Sequence, residues 1–179
     1  MSQAAAGPGG RWRLGPGARK SVLVAHIAAA GAWLGVDVVM AVLIFTALGS
    51  NDDHTKALAF RALELVAVGP LLACGLVCLA SGILLGLGSK YGLVRYWWVA
   101  AKLALNLLLT SLVLVALAPE VAAHANQARR FLAGLPASLQ VGQLIFPPIV
   151  SPAALLAAIT LAVVKPWGRI RRFGQPGTR

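Results

Sequence analysis

Four long apolar runs, at residues 21–48, 57–88, 94–118 and 144–165, are separated by short polar or basic stretches. A helix of roughly 20 apolar residues crosses a hydrocarbon core of about 30 Å, so every run is long enough to span one. In lipid the backbone must satisfy its own hydrogen bonds, and single helices do so within the segment. The pattern therefore predicts an all-α polytopic membrane protein with four transmembrane helices in a bundle. A secretory signal shares the basic start of this chain, but its apolar core runs only about 7 to 15 residues. The first run is twice that and is read as a retained span.

Proline and polarity modulate these runs. Pro119 is expected to end the third one. Residues 120–135 then carry Val121, Ala125, Ala128, Phe131, Leu132 and Leu135 on one side, with Glu120, Asn126, Arg129 and Arg130 mostly elsewhere. That periodicity predicts an amphipathic helix lying along the membrane surface. The fourth run is interrupted at its start by Pro147, Pro148 and Pro152. A regular helix with Ser151 as N-cap and Pro152 at its first position would reach only about 21 Å by Lys165, short of the core. Part of this crossing is expected to be kinked or non-helical, which lipid tolerates only where protein or a water-filled cavity satisfies the backbone.

Composition agrees with the pattern. The chain is 59% hydrophobic and 12% charged, against about a quarter charged in a soluble domain. A net charge of +11 would point to nucleic acid in a soluble protein, but here the basic residues read as topology. Arg11, Arg13, Arg19, Lys20, Lys90, Arg95, Lys165, Arg169, Arg171, Arg172 and Arg179 fall on one side of the four runs; Lys56, Arg61, Arg129 and Arg130 fall on the other. The positive-inside rule then predicts both termini cytoplasmic. Residues 1–20 are expected to be a disordered basic tail, 21–166 the membrane domain and 167–179 a second basic tail. The partner implied is the lipid bilayer, with no nucleic acid, and no soluble partner is indicated. Gly31 with Gly35, and Gly82 with Gly86, form GxxxG pairs suited to close helix contact within the chain or in a homo-oligomer. Tyr91, Tyr96, Trp97 and Trp98 sit where an inner aromatic belt belongs.

Against this apolar background a few polar residues stand out. His26, Ala30, Trp33 and Asp37 share one face of the first span. Lys102 and Asn106 lie one turn apart in the third, and Arg61 and Glu64 open the second. By depth they form an outer level of Asp37, Glu64 and Arg61 and an inner level of His26 and Lys102, with Asn106 between. Ionisable groups inside a span are functional candidates by default, so His26, Asp37, Glu64, Lys102 and Asn106 are taken as ligand or proton-pathway residues. Bland readings stand beside these: Lys102 can snorkel to the interface, Arg61 and Glu64 can be an ordinary helix pair, and Asp37 can belong to a packing network. Asp37 is too short to snorkel.

No catalytic constellation is present. Bis-histidine haem ligation needs two His at one depth, and with His26 inside and His54 and His124 in the outer loops there is no internal pair; no cofactor is expected. His54 and His124, with Asp52, Asp53 and Glu120, are the alternative, a metal site at the outer surface. Cys74 and Cys78 lie four apart on one helix, a poor disulfide geometry and not a CxxC, and read as packing residues.

VAHIAAAGAWLGVDVVMAVLIF at 24–45, RALEL at 61–65 and YGLVRYWWVAAKLALNLLL at 91–109 together resemble a bacterial family of predicted four-span integral membrane proteins of unknown function. The residues that carry the resemblance are His26, Trp33, Leu34, Gly35, Glu64, Trp98, Val99 and Lys102; it covers residues 20–118. Asp37 departs from the pattern, standing where a small or apolar residue is expected. The His and Trp-Leu-Gly segment is also similar to the copper-resistance membrane proteins of the D type, which implies a link to copper or redox chemistry. The only methionines, Met1 and Met40, do not supply the ligands such a role needs. The reading is a bacterial plasma-membrane protein, a non-enzymatic small transporter or accessory subunit; the alternative is a redox or metal-binding protein related to copper or haem.

Overall fold

The structure, a computed structural model, describes residues 15–88 and 96–164. Expectations for residues 1–14, the basic connection at Lys90 and Arg95, Tyr91 and the tail from Lys165 lie outside the described residues. The rest is helical, with no strand among the described residues: α1 (Pro16–Gly49), α2 (Asp53–Val66), α3 (Val68–Leu87), α4 (Trp97–Leu112), α5 (Ala118–Leu132) and α6 (Pro147–Val164). A π-helical turn, Val113–Leu117, joins α4 to α5, and a 3-10 turn, Gly142–Ile145, precedes α6. Grouped by continuity, four helical runs are long and apolar enough to cross a membrane: Pro16–Gly49, Asp53–Leu87, Trp97–Leu132 and Gly142–Val164.

The boundaries have local causes. Helix α1 starts at Pro16, ahead of the expected limit at Ser21, because proline at the first position has a preset φ and gives up an amide no helix could use there. At the other end of the α1–α2 turn, Asp52 caps α2. Its carboxylate accepts from the amides of His54 (3.2 Å) and Thr55 (2.9 Å) and from the Thr55 hydroxyl (2.7 Å). The Thr55 hydroxyl, then the two amides, hold the Asp52 carboxyl below its ordinary range. A carboxyl lowered in the folded state stabilises above its unfolded pKa and loses that contribution as pH falls through the lowered value. Asp52→Ala should therefore lower the melting temperature slightly at neutral pH, and the difference from wild type should vanish in acid. An acid-independent difference in thermal denaturation would reject the cap as its source.

Three prolines reshape the spans without breaking them. Pro70 cannot bond the carbonyl of Val66, and the chain bends at the single residue Ala67 between α2 and α3. Pro119 does not end the third span. The π turn ahead of it, closed by the amide of Ala118 on the carbonyl of Val113, widens the helix where the ring would meet the carbonyl of Val115, and α5 continues. The expected surface helix at 120–135 is thus the extension of the third span. Its apolar face is real, but Val121, Ala125 and Ala128 bury it against α2 rather than against lipid. The fourth span begins with the 3-10 turn, where an irregular start was expected, but its helix starts at Pro147, before the expected cap. Ser151 lies inside α6, and Pro152 follows it there.

Helices α1, α3, α4 and α6 pack as an antiparallel bundle, and α2, α5 and the last turns of α1 pack together beyond it. At about 51 Å, α1 is longer than a hydrocarbon core is thick, which leaves room for that second layer. Val24, Ile27, Val38, Val42, Val115 and Val163 point outward and are exposed, as lipid-facing positions should be. The second layer is stitched by Glu64, which accepts from Arg61 on its own helix and from Arg129 of α5 at 2.8 Å.

Candidate functional site

Trp33 and Asp37 lie one turn apart on α1, both 1% exposed, and face α6. The Trp33 indole donates to the Ser151 hydroxyl (2.9 Å), which donates to Asp37 Oδ2 (2.8 Å). The indole can only donate, so Ser151 accepts from it and has its own proton left to give to the carboxylate. The other oxygen, Asp37 Oδ1, is buried and has no hydrogen-bond partner among the described residues. Leaving such an acceptor unmet is costly, so it marks either a ligand contact or a strained position.

Trp33, Asp37 and Ser151 also line a cavity of about 260 Å³ between α1, the α4–α5 region and the start of α6. Met40, Leu71, Leu109, Val113, Leu117 and Leu144 give it apolar walls, and Asp37, Ser151, Gln143 and Glu120 are its polar lining. Leu112, Phe146 and Val150 line it while being exposed on the bundle surface, so its opening lies between the third and fourth spans. The irregular start of α6 forms one side of this opening.

Two further buried acceptors follow on α4. Among the described residues Thr110 Oγ1 and Asn106 Oδ1 also lack hydrogen-bond partners. Thr110 meets Trp33 across Gly75, and because α4 runs parallel to α1, Asn106 lies one turn further from Asp37, toward His26. There His26 Nδ1 lies 3.1 Å from the Cys78 carbonyl and 2.9 Å from the Ser81 hydroxyl. A carbonyl only accepts, which assigns the proton to Nδ1. The Cys78 thiol in turn donates to the His26 carbonyl at 3.8 Å, the packing role its spacing suggested.

Lys102 lies 4.7 Å from the centre of the Trp98 ring, a cation–π contact with the preceding turn of α4. Its charge also acts on His26, which puts the two within electrostatic reach of each other. The other expected level divides. Asp37 and Glu64 are at similar distances from the α1–α2 turn, about 18 Å along their helices, but they occupy different faces. Asp37 turns to α6, while Glu64 and Arg61 turn to α5. His54 and His124 each set an edge against a different ring, Phe131 and Phe60 respectively, and His124 Nδ1 donates to the Glu120 carbonyl at 2.7 Å. Among the described residues no three His, Cys, Asp or Glu side chains cluster to hold a metal ion.

Ser151 was read as a helix cap and is the residue that sequence reasoning missed. Its signal was a lone hydroxyl among prolines in an apolar run, at a depth that an antiparallel fourth span shares with Asp37. No family model matches the chain, and no curated protein or solved structure is similar to it.

Proposed function

We propose that this protein is a small, non-enzymatic transporter of the bacterial plasma membrane, with both termini cytoplasmic and Asp37 as the group that meets the cargo. One observation carries the reading: a carboxylate buried in the bundle lines an apolar cavity, with one oxygen accepting from Ser151 and the other unpartnered among the described residues. With that topology the α1–α2 turn faces outside and the cavity lies in the outer half of the bundle. Thr110, Asn106 and His26 then mark the way inward, where Lys102 and the aromatic residues meet the inner interface. Polar groups in a bundle core that line a cavity are typical of such pathways, whereas a purely structural network closes on itself.

The reading is tested by thermal denaturation in mild detergent with aromatic solutes of cationic, neutral and anionic charge, each of about ten non-hydrogen atoms. At least one class should raise the melting temperature saturably, since a ligand at a hundredfold its Kd stabilises by about 2.7 kcal/mol. Ala116→Phe, which narrows the cavity from its lining, should abolish the shift. If no class stabilises the wild type, the cavity is not a ligand site and the proposal fails.

A further inference from the structure

We infer that the cargo is a small organic monocation carrying an N–H donor, an amphiphilic ammonium that reaches Asp37 from the bilayer. The inference rests on reading the cavity as a ligand site and adds the charge and chemistry of what enters it.

Charge is the strongest constraint. Two carboxylates, Asp37 and Glu120, line the cavity, and no Lys, Arg or His does. An ionised carboxylate in an apolar surrounding needs a counter-charge, and here none of the lining residues supplies it. An anion would meet repulsion from both groups. A neutral ligand could fill the walls but would leave the carboxylate uncompensated.

Geometry narrows the class further. Ser151 accepts from Trp33 and donates to Oδ2, and the second oxygen of the Asp37 carboxylate, Oδ1, has no donor among the described residues. A primary or secondary ammonium supplies both the charge and the N–H. Two aromatic rings, Trp33 and Phe146, also line the cavity, and ring faces attract ammonium groups. Volume limits the body of the ligand. A cavity of 150 Å³ accommodates benzene, so 260 Å³ fits about ten non-hydrogen atoms. The rim, made by exposed Leu112, Phe146 and Val150, is apolar and lies on the wall between spans, where membrane-partitioned amphiphiles would arrive.

Isothermal titration calorimetry on the full chain in mild detergent, with benzylammonium, benzyl alcohol and benzoate as matched probes, tests this. Benzylammonium should bind with one-to-one stoichiometry, benzyl alcohol more weakly and benzoate not at all. Asp37→Asn should weaken benzylammonium about a hundredfold, the scale of removing one partner of a buried charge pair, and leave benzyl alcohol unchanged. Benzyl alcohol binding the wild type as tightly as benzylammonium would overturn the cation inference and leave the cavity reading standing. Failure of all three probes to bind would overturn both. Should Asp37→Asn not fold, the ranking of the three probes on wild type decides alone, and Asp37→Glu, which keeps the charge, should retain preference for the cation. Unchanged benzylammonium affinity in a folded Asp37→Asn protein would place the cation elsewhere and reject the assignment.

Discussion

Gly75→Val should destabilise the protein by about 3 kcal/mol or more, the upper range for forcing extra carbon into a packed core. A Cβ at this position would lie 2.6 Å from Thr110 Oγ1 and 2.7 Å from Trp33 Cζ3, distances that real Cβ contacts do not reach. Neither neighbour can yield easily. Trp33 is 1% exposed and tethered through its indole to Ser151, and Thr110 is buried. The two opposing terms can be compared with Gly75→Ala. Helix propensity favours alanine by about 1 kcal/mol, whereas the clash costs about 1 to 3 kcal/mol, so the net effect should be destabilising. Gly31→Ala is the control, because nothing lies within 4 Å of its added Cβ; there only propensity acts and stability should rise. Thermal denaturation of the three variants in one detergent checks the order. A Gly75→Ala protein as stable as Gly31→Ala would mean that Trp33 and Thr110 do not close on α3 as described.

The consequence reaches past stability. Moving Trp33 off Gly75 also moves the indole that orients Ser151, so a folded Gly75→Ala protein should bind benzylammonium less well even though position 75 is not itself part of the cavity lining.

Periodicity and run length were enough to read the four spans, because a 3.6-residue helix in lipid has few alternatives. The helix ends were harder. Pro16 and Pro119 carry the same local chemistry, yet one opens a helix and the other is absorbed by a π turn, and only the packing of α5 on α2 makes continuing worthwhile there. The face of α1 bearing Trp33 and Asp37 was visible at i and i+4. Distance along the chain was legible too, since Asp37 and Glu64 do lie equally far from the α1–α2 turn. Azimuth was not: which side of a helix a residue turns to depends on which neighbour the loops bring there. Glu64 is at the depth of Asp37 but belongs to the α2–α5 layer, and nothing in RALEL separates the two cases. Ser151 was hidden for the opposite reason, since its place before Pro152 suits a cap so well that its role inside α6 was masked.

Ser151→Ala should destabilise by about 2 to 6 kcal/mol, because it strands two groups at once, the Trp33 N–H and Asp37 Oδ2, each costing about 1 to 3 kcal/mol when buried without a partner. Ser151→Thr keeps the hydroxyl and should lose much less. The informative variant is the pair Asp37→Leu with Ser151→Ala. If the carboxylate held α1 against α6 through contacts beyond Ser151, removing it as well would compound the loss. Replacing a buried polar pair by apolar groups of similar volume is instead often neutral or favourable, because the desolvation of the charge disappears with it. The double variant should therefore be more stable than Ser151→Ala alone, with only the Trp33 N–H left unmet, while binding no benzylammonium. That combination, recovered stability with lost binding, is what a carboxylate kept for a ligand requires. A double variant no more stable than the single one, in the same thermal denaturation, would make Asp37 a clasp between helices and remove it from the transport pathway.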